Sequence, residues 1–284
     1  MKRLIVNADD FGLHEDINKG IIKGFREGFI TSASIMPGAP AFAGAAELAR
    51  ANPRLGIGIH LTLVGGVAPV LPPEKVPSLV DGRGVFLPDY MAFSRRFYSG
   101  GVKKAELMAE LRAQIEKALA ARLNLNITHL DSHQHTHVLP IINSFVVQLC
   151  REYQIKKIRI PKEPYFFSGG FSAGVGRKIG RAGLSFCSQL AAGRASAAGL
   201  RFPDCFFGML AGGSLTPALV GNILRALPEG TSELMTHPGL NAAALGRQFS
   251  WGYHWESELS AYLDAGNKKL LKERQINLIS FGEL

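Results

Sequence analysis

Five groups able to bind a metal or move a proton fall within residues 127–137: His129, Asp131, His133, His135 and His137. Imidazole titrates near neutrality and is the commonest protein ligand for metals. Residues 127–131 alternate apolar and polar with a β-branched start, as a short strand does. His133, His135 and His137 follow at a spacing of two, so an extended segment would aim all three to one side. Solvated loop histidines are the plainer alternative, and they explain one such residue better than three in register behind an aspartate.

Three further stretches carry groups of the same kind. Asp9 and Asp10 close an apolar run. Strand alternation there would aim one carboxylate at a metal and the other at a substrate water; Asp-Asp-Phe-Gly is also good turn chemistry. His60 ends Gly-Ile-Gly-Ile-His, where a hydrogen-bonded core histidine is the simple reading. Combined, Asp10, His60 and His133 make a His-His-carboxylate set with positions left for water. One divalent ion held there, zinc or magnesium, would polarise a carbonyl and lower the pKa of water from about 15.7 to near 7. That chemistry wants a base beside the water and an acid for the leaving group. Asp9 suits the first role. His237, just before Pro238-Gly239, suits the second, unless it only fixes that turn. Arg159 reads as a ligand for an oxyanion or sugar hydroxyl, or more simply as half of a structural ion pair.

Other chemistries lack their parts. The Gly-x-Ser-x-Gly pattern occurs at Gly170–Gly174 but not directly after a predicted strand, where a nucleophile elbow would need it, and the chain has no phosphate-binding Gly-Lys-Ser/Thr loop and no Gly-x-Gly-x-x-Gly after its first strand. Ser132 and His133 would diverge, so they are no dyad. Cys150, Cys187 and Cys205 are scattered among apolar neighbours without a Cys-x-x-Cys, as reduced thiols are. With 46% hydrophobic and 19% charged residues, 284 residues can build a sizeable core. The net charge of +9 suits an anionic partner, a membrane surface or a basic soluble enzyme. No basic run or nucleic-acid motif is present, so nucleic acid is not an expected partner. No apolar signal region follows Met1-Lys2-Arg3, and the uncharged runs 28–46 and 205–224 are broken by proline and glycine. A cytoplasmic location is expected.

The elements that would position these groups follow from periodicity. Strands are predicted at 4–8, 31–36, 55–61, 127–131, 157–161, 205–207, 232–236 and 276–281. Helices are predicted at 15–27, 42–50, 103–122, 140–153, 217–226 and 256–272. In the clearest helix, Leu107, Leu111, Ile115, Ala118 and Leu119 form one face. Residues 64–90 carry five prolines and read as a long functional loop. Residues 164–203 form an insertion with five arginines and lysines and no acid. Strands alternating with helices predict a single-domain α/β fold, a TIM-type (β/α) barrel of seven to eight strands with room for distortion. The candidate groups all follow strands, on the carboxyl face where such barrels keep their sites.

Asn7-Ala8-Asp9-Asp10-Phe11-Gly12, Gly58-Ile59-His60, His129-Leu130-Asp131-Ser132-His133 and Thr236-His237-Pro238-Gly239 together resemble the YdjC/ChbG family of carbohydrate deacetylases. Order and spacing agree along nearly the whole chain. The resemblance implies a TIM-barrel-like fold and a divalent-metal amidohydrolase acting on N-acetylated sugars. It implies Asp10, His60 and His133 as metal ligands, Asp9 as base, His237 as acid and a homodimer. The segments 70–73, 77–81 and 159–161, with Glu163-Pro164, are similar to the hopanoid-biosynthesis branch, HpnK, which implies an N-acetylglucosaminyl hopanoid as substrate. Gln134 stands where chito-oligosaccharide members have a histidine. The alternatives are a soluble chito-oligosaccharide of the diacetylchitobiose type, a metal-dependent phosphodiesterase, or a non-catalytic carbohydrate- or membrane-binding protein. On the lipid reading, 164–203 would be a basic, partly apolar flap in peripheral contact with an anionic inner-membrane surface; it could equally be a solvated helix or a dimer contact. Arg159, Asp131, His135 and His137 would bind substrate or support the ligands.

Overall fold

The structure, a computed structural model, describes residues 1–120 and 127–284. Its centre is a seven-stranded parallel sheet: β1 (Lys2–Phe11), β2 (Ser32–Ile35), β3 (Gly56–Leu61), β4 (Ile127–Ser132), β5 (Cys205–Phe207), β6 (Gly230–Thr236) and β7 (Ile276–Leu278). The order is β4-β3-β2-β1-β6-β5, and β7 pairs with the first residues of β1. Among the described residues, ten α-helices connect and cover the strands: α1 (Glu15–Arg26), α2 (Phe42–Arg50), α3 (Tyr90–Tyr98), α4 (Lys104–Ala120), α5 (Ile142–Glu152), α6 (Val175–Ala197), α7 (Pro217–Ala226), α8 (Ala242–Gln248), α9 (Trp255–Leu263) and α10 (Ala265–Glu273).

Of the expected α/β barrel of seven to eight strands, the structure has the α/β class and seven parallel strands, but they form a curled sheet that does not close, with β4 and β5 at its two ends. The predicted strand at 157–161 forms no ladder. Ile158 makes an isolated bridge to Leu130, and Lys157 makes one to Arg201. A backbone bond to β5, from Phe206 N–H to the Lys162 carbonyl, falls one residue beyond this segment. Pro161 and Pro164 cannot donate to a ladder, which limits regular pairing here.

Two large apolar clusters flank the sheet, and a small third joins Ile5 of β1 to Ile279 and Phe281. One joins β1, β2 and β6 to α1, α2, α7, α9 and α10. The other joins β3 and β4 to α4, α5, α6 and the 64–90 loop. Residues Leu107, Leu111, Ile115 and Ala118 of α4 are buried as their spacing predicts, but Leu119 is 45% exposed. The last two residues of the predicted helix, 121 and 122, lie outside the described residues. The single helix expected at 256–272 is two, because Asp264 leaves helical geometry (ψ 127°) and caps α10 through Asn267 N. The 64–90 loop contains a short 3₁₀ turn, Pro73–Lys75, and the isolated bridges Val64–Leu87 and Val80–Phe86, and leads into α3, which the sequence pattern did not disclose. The acid-free insertion is mostly the 23-residue α6, whose Leu184, Ala191 and Ala195 join the second cluster. Among the described residues no helix is long and apolar enough to cross a membrane.

Candidate active site

Register brings the candidate groups together. His60 lies opposite Asp131 across the β3–β4 ladder. Ala8 lies opposite Thr236 across β1–β6, so Asp9 and His237 are neighbours at the same edge. Both loops leave from the carboxyl ends of parallel strands, where the curl of the sheet turns them toward one point.

Asp9 and Asp10 do not point to opposite sides, as strand alternation would have them. Asp10 adopts a left-handed backbone (φ 66°), and the β1–β2 register shifts between Ala8 and Phe11. This bulge returns the second carboxylate to the side of the first. His60 Nε2 then lies 3.6 Å from Asp10 Oδ1 and 3.9 Å from Asp9 Oδ2. His133 Nδ1 lies 2.9 Å from Asp10 Oδ1.

Asp10, His60 and His133 are a candidate metal triad, and Asp9, His60 and Asp131 a second that shares His60. The donor atoms decide between them. Both oxygens of Asp9 accept from Arg159, and one also accepts from Asn7. Asp131 is taken by His60 Nδ1, Ser34 and Arg159. By contrast, Asp10 Oδ2, His60 Nε2 and His133 Nε2 are buried without a partner among the described residues. Unpaired buried polar atoms are costly, so the first triad fits a divalent cation and the second does not. The Asp131 contact to His60 Nδ1 is the carboxylate–imidazole support typical of metal ligands.

Burial alone would raise the Asp10 carboxyl, yet His133, His237 and His60 hold it well below the ordinary carboxylate range. Burial opposes charge on His60 too, but Asp131, Asp9 and Asp10 outweigh it and raise its pKa to about 9. A cation at the triad therefore competes with a proton on His60.

Arg159 is fully buried. It donates to both oxygens of Asp9 at 2.7 Å, to Asp131 Oδ2 at 2.8 Å and to Glu233 Oε1 at 2.7 Å, with the Phe206 ring beneath it. Every arm of its planar fork is engaged, so it acts as the structural ion pair of the simpler reading and is closed to substrate. Glu233 is pushed up to about 8, chiefly by burial and further by Asp131 and Asp9, against the pull of Arg159.

His237 follows β6. Its backbone N–H donates to Glu258 of α9, and its Nδ1 lies 3.7 Å from the same carboxylate. Burial lowers its pKa, but Glu258, Asp10 and Asp9 together leave it above the ordinary histidine value. The turn it occupies presses on α1 so closely that a Cβ on Gly20 would lie 2.5 Å from the Gly239 backbone.

The three histidines expected to share one side do not. Residues 133–138 wind into a 3₁₀ turn with Gln134 and His135 left-handed (φ 50° and 57°), which separates the rings. His137 is spent on Ser132 Oγ and the Arg159 carbonyl, 2.7 and 2.9 Å away, and staples the turn. His135 lines the cleft, with burial and Arg159 keeping it neutral. His129 is stacked on Phe281, and its Nε2 lies 3.2 Å from Ser34 Oγ, which in turn donates to Asp131. Gln134 accepts the Tyr90 N–H at 2.9 Å and so ties α3 to the site.

These groups open onto a cleft of about 170 Å³, bordered by Asp9, His133, His135, His237, Tyr253 and Arg177 of α6. Sequence reasoning missed Glu233, Glu258, Ser34 and Tyr253. Glu233 did leave a signal, an acid inside an apolar strand; Glu258 looks like any acid in the first turn of a helix.

A curled parallel β/α sheet with a buried His-His-carboxylate triad, an Arg-anchored aspartate and a Glu-held histidine defines a hydrolase-like site of the metal-assisted class. Residues 3–273 match the model of the YdjC-like protein family, and the chain belongs to that family. A carbohydrate deacetylase of Brevibacillus brevis is 34% identical over 99% of both chains. One from Mus musculus is 34% identical over 84% of this chain and 78% of its own. A crystal structure of an Enterococcus faecalis V583 protein, named for cellobiose-phosphate cleavage, superposes with a TM-score of 0.80 at 26% identity, covering 99% of this chain and 98% of that one.

Proposed function

We propose that this protein is a metal-dependent carbohydrate deacetylase, a hydrolase that cleaves the amide joining acetate to an amino sugar. The observation that carries the reading is the convergence of three unpartnered buried donor atoms between Asp9 and His237, in a chain of this family. Asp10, His60 and His133 would hold one divalent cation, which supplies Lewis acidity toward the acetamide carbonyl and acidifies water. Imidazole donors favour zinc over magnesium by affinity.

Asp9, held by Arg159 and Asn7 in one orientation, takes the proton of the attacking water. His237, kept protonated by Glu258 and the two aspartates, gives its proton to the amino nitrogen as the C–N bond breaks. Acetate and a free amino sugar leave. Two metals would serve phosphodiester hydrolysis better; both triads here share His60, which favours the amide reading.

For the substrate's remainder we propose a lipid, the hopanoid-type aglycone. Its support is α6, where Val175, Ile179, Phe186 and Leu190 are exposed, with Phe166 just before it, beside basic residues and no acid. Such a helix resembles an interfacial one. A second reading, a soluble chito-oligosaccharide, is favoured by an aromatic groove on the other side of His133. Acetate release by the metal-loaded protein and by Asp9→Asn tests both, on an N-acetylglucosaminyl hopanoid and on N,N′-diacetylchitobiose. Release from the lipid alone supports the first reading, and release from the disaccharide alone the second. Silence on both, with the metal verified, refutes the deacetylase assignment for N-acetylglucosaminyl substrates.

A further inference from the structure

Base, acid and cation site account for the water and the leaving nitrogen, but the reaction also places negative charge on the acetyl oxygen. When water adds to the acetyl carbon, the second electron pair of the C=O bond moves onto that oxygen. It returns as the C–N bond breaks. A preorganised donor aimed at such an oxygen is often the largest single contribution to acyl-transfer catalysis. That donor must stand beside the acid, because the oxygen and the nitrogen of an amide share one carbon. Of the side chains around the cleft, Gln134 is turned to the Tyr90 N–H, and Arg177 donates to the Gly212 carbonyl. His133 belongs to the triad, and His135 packs edge-on to Phe206. Tyr253 packs on the acid itself, its ring centroid 4.7 Å from that of His237.

The fold holds this phenol firmly. The segment that carries it is irregular, yet it is tied on both sides of Tyr253. The His254 N–H donates to the Gly213 carbonyl at 2.7 Å, and the Trp255 carbonyl accepts from Gly239 at 3.2 Å. Trp251 and Trp255 flank the Tyr253 ring at 5.6 and 5.8 Å between centroids. The facing loop is glycine where it meets the rings. Gly213 is left-handed (φ 80°), and a Cβ there would run into the Tyr253 ring; one on Gly212 would lie 3.5 Å from His237 Cε1. Buried Glu163 fixes that loop by accepting from the N–H groups of Gly208, Met209 and Leu210 at 2.8–3.0 Å. Phenol and acid are therefore seated by the same loop. Burial, with Asp10, Glu258 and Asp9 against Arg177, raises the phenol above its ordinary value, so it keeps its proton; none of these influences is a hydrogen bond.

We infer that the Tyr253 hydroxyl is a catalytic hydrogen-bond donor to the acetyl oxygen as that oxygen becomes negative, beside the proton that His237 delivers to nitrogen. The inference rests on the deacetylase reading and adds to it a residue that works in the transition state. A hydrogen bond to a charged oxygen is about twice as strong as one to a neutral carbonyl. The hydroxyl should therefore count in kcat far more than in KM.

Tyr253→Phe keeps the ring and its packing and removes only the hydroxyl. Metal-loaded wild type and variant are compared on whichever of N,N′-diacetylchitobiose and an N-acetylglucosaminyl hopanoid is turned over. Metal content and melting temperature are measured in both. The variant should lose about a hundredfold in kcat and keep KM within about threefold. Calorimetry reads the hydroxyl without turnover, using a methylphosphonamidate of glucosamine, which is tetrahedral and anionic where the acetyl carbon would be attacked. It should bind the variant about a hundredfold more weakly, while glucosamine binds both proteins alike. Lost metal, or both ligands weakened equally, would mean a purely structural role and overturn the inference. A kcat within about threefold of wild type overturns it too and leaves the deacetylase reading standing. No turnover by wild type with the metal verified, but an analogue that still distinguishes the two proteins, supports the donor while the deacetylase reading fails for these substrates. Neither turnover nor analogue binding overturns both.

Discussion

Arg159→Met removes the guanidinium that neutralises Asp9, Asp131 and Glu233 while nearly conserving volume. All three carboxylates are buried, and Arg159 reaches each at 2.7–2.8 Å. Breaking a buried pair from one side costs about 3–5 kcal/mol, and that loss is expected in urea denaturation of the metal-free protein. The loss also has a pH signature. Glu233 in the folded protein has a pKa raised to about 8, against 4.5 for an ordinary glutamate. A raised carboxyl holds a proton that the unfolded chain has released, so its contribution to stability declines as pH rises from about 4.5 to about 8. Without Arg159 its pKa climbs further and the decline continues above pH 8 at up to about 1.4 kcal/mol per pH unit. His60, raised by Asp131, Asp9 and Asp10 against the effect of burial, pulls in the same direction. The deficit of the variant should thus be larger at pH 9 than at pH 6.5, and adding Glu233→Gln should reduce the difference. A deficit under about 1 kcal/mol, or one equal at both pH values, would refute the hub.

Glu258→Gln removes a group that lifts His237, so the alkaline limb of the pH–rate profile should move to lower pH, with metal content unchanged; an unmoved limb denies His237 its role as acid. Metal loading at pH 7 should release close to one proton, because His60 is protonated below about 9 without it; calorimetry in buffers of different ionisation enthalpy reads this, and no release would exclude His60 as a ligand. The same titration should raise the unfolding free energy by about 2.7 kcal/mol at a hundredfold excess over Kd. Gly65→Ala should weaken metal affinity by about tenfold or more, since its Cβ would intrude on His133; equilibrium dialysis with retained affinity would show the loop yields freely.

What could be read from the sequence alone was local. Apolar runs marked β1, β3, β4 and β6, and the reactive groups sit at their ends because a parallel strand must hand over to a polar loop there. Spacing along α4 identified its buried face for the same reason: periodicity is a property of neighbouring residues. The arrangement at the centre was not local. Asp10 faces the same point as Asp9 only through a left-handed residue, which alternation cannot anticipate. His135 and His137 parted from His133 because the chain winds rather than extends after β4. The segment at 157–161 has a strand's pattern but makes only isolated bridges, to Leu130 and Arg201, because pairing depends on which distant backbone lies alongside. Arg159 engages Asp9 from 150 residues away and Glu233 from 74, and Glu258 reaches His237 across a helix junction. Sequence named the groups that could react. Tertiary register decided which donor atoms were spent on one another and which were left free for a cation, because hydrogen-bond satisfaction in a buried cluster depends on every partner at once.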